Sequence, residues 1–348
     1  MNRAVKKSFT RFLTLVGLLA LLSLILIAIF LLTARKPDRI LMLDWIGDEP
    51  AAKLLSMNSD DSDVRDLGPA TGAIDWLQNG KGIFAVGCAD KAKVCVYQAT
   101  ASSIQLQYQL DIPTECDQLS PSFGVKSINW SSDGSRLAIL CNNDKSSNLC
   151  IIGLDGKSTC WGERSGEEII VRSDWSPVND ELVIDPGKLS YIIPAEIGNV
   201  NGKVKVLRRG GLQIVNEKGE LLRTLLDGWS PSWSPDGKWI AFFRWNEEIG
   251  YPGIGIMDPN GENFRWVFLP PSRGSGGDAE YYHPGFRDYT WCSSPSKISW
   301  SSDEKYLYID ASQQASCWTS VYRIEVKTGE ITSLMDDYSY YREVDVGP

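Results

Sequence analysis

The chain has 348 residues, 43% of them hydrophobic and 23% charged, with a net charge of −9. That balance excludes wholesale disorder, and the presence of one histidine, His283, excludes any metal site built on two. Residues 1–39 hold seven basic side chains and one acidic, so 40–348 carry 28 basic and 43 acidic side chains, a net of −15; a body this acidic is a poor binder of nucleic acid and is repelled by anionic headgroups.

The first element predicted along the chain is a membrane helix. Residues 1–11 form a short cytoplasmic N-terminus, and 12–33 are 22 residues without a charge, where about 20 suffice to span a bilayer. Arg3, Lys6, Lys7 and Arg11 precede the run, and Arg35, Lys36 and Arg39 follow it. The run is too long for the apolar part of a cleaved leader and lacks a small-residue cleavage site, so it reads as an uncleaved signal anchor. Residues 34–39 form a linker and 40–348 the ectodomain. The positive-inside bias is slight. The cysteines supply a second argument: eight, at 88, 95, 116, 141, 150, 160, 292 and 317, all beyond the anchor and without a C-x-x-C pair. An even set of this kind points to disulfides and the extracytoplasmic side.

Beyond the anchor the chain repeats. AIDWLQNGKGIFAV (73–86), SINWSSDGSRLAIL (127–140), RSDWSPVNDELVID (172–185), SPSWSPDGKWIAFF (230–243) and KISWSSDEKYLYID (297–310) share one grammar. A short strand ends in Trp76, Trp130, Trp175, Trp233 or Trp300, a polar turn follows, and an apolar strand leaves it. In the fourth copy Pro235 presets φ, Asp236 bonds back to the turn backbone and Gly237 takes the left-handed conformation. The first copy replaces this turn by Leu-Gln-Asn-Gly, the third has Val178-Asn179-Asp180 where the fourth has Asp-Gly-Lys, and the fifth has Glu304 in place of glycine. Further strand pairs follow, joined at Asp155-Gly156, Lys218-Gly219, Asn260-Gly261 and Thr328-Gly329. Each unit therefore predicts four antiparallel strands, and such sheets bury their faces only against their neighbours in a ring.

These motifs resemble the repeats of TolB-like β-propellers, whose pattern is a W-S-P-D-G-K turn before an I-A-F-type strand. The resemblance runs over roughly 40–348. It implies an all-β propeller and an envelope scaffold or binding module. Five units begin with the motif. Ile40–Leu43 and Ala52–Met57 read as outer strands of one more, with its inner strands drawn from about Tyr341–Val346, giving six blades with five as the alternative. Cys88/Cys95 and Cys141/Cys150 flank the same link in two successive units, which predicts those two disulfides; Cys292–Cys317 and Cys116–Cys160 follow by elimination.

No feature points to catalysis. There is no G-x-S-x-G elbow, and a catalytic triad would have to use His283. The glycine-rich stretch 250–255 leads into a strand and is no phosphate loop. The acidic run 58–63 lacks calcium-loop spacing. Asp133, Asp236 and Asp303 recur because the turns need them, and the Asn129 sequon falls on a repeat tryptophan. No cofactor or metal ligand set is indicated. The longest break in the repeat, 270–296, carries Arg273, Tyr281, Tyr282, His283, Phe286, Arg287, Tyr289 and Trp291, residue types favoured at recognition surfaces. The expectation is a membrane-anchored, extracytoplasmic propeller that binds a protein partner through this insertion. The competing reading is a propeller enzyme, lactonase-like or glycan-active, which a ring of inward-facing carboxylates with raised pKa values would favour. A carbohydrate-binding module is the third.

Overall fold

The computed structural model describes residues 38–347 except 46–51, 61, 78–81, 90–91, 101–102, 118–126, 143–145, 166–168, 188–197, 201–202, 206–210, 249–250, 270–296, 313–318 and 335–340. The expected anchor, 12–33, lies outside the described residues, among which no helix is long and apolar enough to cross a membrane.

The chain opens with β1 (Arg39–Trp45), β2 (Ala52–Asn58), β3 (Arg65–Trp76), β4 (Ile83–Cys88), β5 (Lys93–Ala99) and β6 (Ile104–Asp111), followed by the single turn of helix α1 (Thr114–Asp117). Next come β7 (Ser127–Trp130), β8 (Arg136–Asn142), β9 (Ser146–Gly153) and β10 (Ser158–Ser165), then β11 (Ile169–Trp175) and β12 (Glu181–Gly187). A small hairpin of β13 (Gly198–Val200) and β14 (Lys203–Lys205) precedes β15 (Gly211–Asn216) and β16 (Leu221–Asp227). The remainder is β17 (Trp229–Trp233), β18 (Ile240–Asn246), β19 (Tyr251–Met257), β20 (Arg265–Phe268), β21 (Ile298–Trp300), β22 (Tyr306–Ser312), β23 (Thr319–Glu325), β24 (Ile331–Ser333) and β25 (Tyr341–Gly347).

Four antiparallel sheets have four strands each: β7–β10, then β11–β12–β15–β16, then β17–β20 and β21–β24. A fifth has seven, in the order β25-β1-β2-β3-β4-β5-β6. Its middle strand serves two sets of partners. Arg65–Ala70 of β3 pair with β2, while Ala70–Trp76 pair with β4. The chain ends meet in this sheet, where β25 runs antiparallel to β1 from Arg39↔Gly347 to Trp45↔Tyr341. The segments read from sequence as outer strands, Ile40–Leu43 and Ala52–Met57, are middle strands instead. β1 is paired on both sides, and Ile40–Leu43 are fully buried because apolar residues line both of its faces.

Alternation within each strand divides its side chains between two cores. In β8, Leu137 and Ile139 join the cluster shared with β5 and β7, whereas Ala138 and Leu140 join the one shared with β11 and β12. Clusters around Val183 and Phe242, Phe243 and Ile309, Ile40 and Val344, and Leu41 and Phe84 continue this linkage back to the first sheet. Successive sheets are therefore joined in a closed cycle.

The turns fold as the sequence dictates. In the fourth repeat Asp236 Oδ1 accepts from Ser234 Oγ at 2.8 Å and from the Lys238 amide at 2.9 Å, and Gly237 has φ +70°. In the fifth, Glu304 takes the glycine position at φ +62°, and its Oε1 accepts from the Asp236 amide of the neighbouring turn at 2.9 Å.

Three disulfides form among the described residues: Cys88–Cys95, Cys116–Cys141 and Cys150–Cys160. The first is as expected. Cys141–Cys150 and Cys116–Cys160 are not formed. Cys160 lies directly across from Cys150 and takes it as partner, although Cys141 stands to Cys150 as Cys88 stands to Cys95. Cys141 is bonded instead to Cys116 on α1, at a Cα separation of 5.2 Å. Cys292 and Cys317 lie outside the described residues.

Candidate functional site: the inner-strand channel

The five repeat tryptophans end β3, β7, β11, β17 and β21, the first strands of their units, and each is at most 6% exposed. The residue before each tryptophan is polar: Asp75, Asn129, Asp174, Ser232 and Ser299. Alternation turns that residue to the opposite face. Asp345 of β25 joins them. Asp75, Asp174, Asp345, Ser232 and Ser299, with Lys297 and the tryptophans, line a cavity of about 60 Å³, room for a few waters. Pro177, Pro235, Ser131 and Ser132 of the turns form its rim.

The carboxylates tie the first strands of neighbouring sheets together, and β25 to β3 within the seven-stranded sheet. The Trp130 amide donates to Asp75 Oδ2 at 2.9 Å, the Trp233 amide to Asp174 Oδ2 at 2.6 Å, and the Trp76 amide to Asp345 Oδ2 at 2.6 Å. Asp174 Oδ1 also accepts from Asn129 Nδ2 at 3.2 Å and from the Trp175 amide at 3.0 Å. Ser299 Oγ donates to Asp345 Oδ1 at 2.7 Å and accepts from the Val346 amide at 3.0 Å. Lys297 Nζ donates to the Ile74 carbonyl at 2.7 Å and lies 3.2 Å from both Asp75 Oδ1 and Asp345 Oδ1.

Burial dominates the electrostatics. It raises the Asp75 carboxyl well above the ordinary carboxylate range, against the opposing pull of Lys297 and with further upward pushes from Asp345 and Asp174. Burial likewise pushes Asp174 up to about 7, although the Trp233 amide favours its charged form. The turn carboxylate Asp133 behaves oppositely. Hydrogen bonds from Ser131 and Ser135 hold it down at about 2. No cluster of three or more His, Cys, Asp or Glu arranged to hold a metal occurs among the described residues.

Arg273, Tyr281, Tyr282, His283, Phe286, Arg287, Tyr289 and Trp291 lie outside the described residues. The carboxylates of the acidic run are taken up locally and by the flanking strands: Asp60 Oδ1 accepts from the Ser62 amide at 3.1 Å, and Asp63 pairs with Arg39 and Arg65. The Asn129 side chain is 2% exposed and bonded to Asp174, which leaves no access for glycosylation. Sequence reasoning passed over Asp75, Asp174, Asp345 and Lys297. The available signal was the polar residue immediately before every repeat tryptophan.

The closed cycle of antiparallel sheets around this channel is a β-propeller. The sequence matches no protein-family model and no curated protein. Among solved structures, the fold is similar to that of TolB from Acinetobacter baumannii, with a TM-score of 0.57 and 12% identity over 89% of this chain and 67% of that one. It is also similar to a chain in the structure of a nidogen/laminin complex, with a TM-score of 0.52 and 8% identity over 89% of this chain and 98% of that one. At these identities the likeness concerns the fold alone, and the fold is that of a TolB-like propeller.

Proposed function

We propose that this protein is a membrane-anchored, extracytoplasmic binding module: a six-bladed propeller that holds a protein partner and performs no chemistry of its own. The observation that carries this reading is the occupation of the channel carboxylates. Asp75 and Asp174 each accept a tryptophan backbone amide from the next sheet, and Asp345 accepts that of Trp76 within the seven-stranded sheet, so the acidic groups are held as structural ties. The count of six treats the seven-stranded sheet as two blades sharing β3, in keeping with the partner change at Ala70. Three disulfides in the β4–β10 region support an oxidising compartment. The anchor is residues 12–33, and the partner surface is the insertion carrying Arg273, Tyr281, Tyr282, His283, Phe286, Arg287, Tyr289 and Trp291.

A second reading, a propeller enzyme, is favoured by one observation: Asp75 and Asp174 are half-buried carboxyls with raised proton affinity beside a cavity. The test is affinity capture from detergent-solubilised membranes with the full chain and with a variant lacking 272–290. A partner held by the full chain and lost from the variant supports the binding reading. A partner held equally by both removes the insertion from it. No partner at all, together with turnover of a lactone or glycan that Asp174→Asn abolishes, overturns it in favour of the enzyme.

A further inference from the structure

The channel concentrates charge where little water can reach it. Asp75, Asp174 and Asp345 extend from β3, β11 and β25, with Lys297 between the first and last. Two residues before Asp174 on the same face of β11, Arg172 stands where Lys297 stands relative to Ser299. Behind these, Asp185 of β12 lies across from Arg172, and Asp310 of β22 accepts from the Lys297 amide at 3.3 Å. Asp185 and Asp310 are at most 1% exposed. Carboxylates therefore outnumber cations, and full ionisation leaves net negative charge in a medium that screens it poorly. The groups that would repel one another are the same groups that tie the sheets together.

We propose that the channel is a proton-loaded clasp: the Asp75 and Asp174 carboxyls, packed beside Asp345 and Lys297, take up a proton as the ring closes, so that closure weakens as pH rises from acid to neutral. The sign follows from linkage. A carboxyl whose folded proton affinity is raised stabilises the fold fully below its unfolded pKa and loses that contribution as pH rises through the folded one. For Asp174 the window runs from 3.8 to about 7.

The test is urea unfolding of the full chain in detergent between pH 5 and pH 8, with hydrogen exchange of the β25 amides as a local readout of closure. With Asp174 at about 7, the unfolding constant of the wild type rises roughly a hundredfold across this range, and β25 loses protection in parallel. Asp174→Asn removes that group's share of the rise, and Lys297→Met steepens it by leaving Asp75 and Asp345 without their shared cation. Should Asp174→Asn fail to fold, Asp75→Asn serves the same purpose. A wild-type constant that is flat or falls with pH overturns the proposal, as does an undiminished slope in the Asn variant.

Discussion

Gly347→Ala tests how the ring is held at its seam. Gly347 is the last residue of β25, paired with Arg39 of β1, and its backbone lies against the Trp76 indole. A Cβ added there would lie 2.2 Å from Cδ2, 2.5 Å from Cγ and 2.7 Å from Cε2, where ordinary contact begins at 3.4 Å. The ring would have to retreat by more than 1 Å. Trp76 is 1% exposed, and Phe84 packs against it at a tilt of 59° with ring centroids 5.1 Å apart, so little space is available. Overpacking of this kind costs about 1–3 kcal/mol, and a rigid indole favours the upper half. At this chain length that lowers Tm by roughly 2–5 °C. The assay is thermal unfolding of Gly347→Ala in the wild-type background and in Trp76→Phe, as a double-mutant cycle. The alanine is expected to cost less beside the smaller ring. An equal cost in both backgrounds, or a cost below about 0.5 kcal/mol in the wild type, refutes the contact as the cause.

The remaining predictions concern the disulfides and the turns. Peptide mapping without reduction yields Cys88–Cys95, Cys116–Cys141 and Cys150–Cys160; recovery of a Cys141–Cys150 peptide would contradict the pairing of Cys141 with α1 and of Cys150 with β10. Glu304→Gly relieves a left-handed backbone worth about 1 kcal/mol and removes the acceptor for the Asp236 amide, of similar worth. The two offset each other, so denaturant unfolding should detect a change of less than about 1 kcal/mol. Asp133→Asn removes a contribution that is present at neutral pH and lost in acid. The folded carboxyl sits at about 2, below its ordinary 3.8, so its contribution is present above 3.8 and is lost as pH falls toward 2. The variant should show a shallower decline of stability over that interval in an acid titration, and an unchanged decline would assign the limb to other groups.

The repeat was legible because its turns are chemically narrow. Glycine at 134 and 237 takes φ near +70°, and the preceding aspartate closes the turn backbone, so the motif marks each hairpin irrespective of what surrounds it. Other features depend on pairing that a linear reading does not contain. Arg65–Pro69 carries both Gly68 and Pro69, residues that usually mark a linker, yet it pairs with β2 as the first half of a twelve-residue strand. Cys88/Cys95 and Cys141/Cys150 are equivalent in their units. Only the register of β9 against β10 shows that Cys160 lies across from Cys150. The channel acids were visible as letters, in AIDW and RSDW. Their function as ties needs the neighbouring sheet, because each accepts the amide of a tryptophan about 55 or more residues away in sequence.

The pairing of β1 with β25 sets an order of events during synthesis. Arg39 emerges from the ribosome early, and Gly347, its partner, some 300 residues later. Until then β1 presents an open edge, and Ile40 and Met42 lack the cover of Val344 and Val346. A contact of such long sequence separation forms late and slowly. The nascent chain must therefore be kept from pairing with other molecules until its last strand arrives. Because the first and last strands lie side by side, a permuted gene that joins them through a short linker and opens the chain at the β16–β17 junction would make this closure local and leave a different edge waiting.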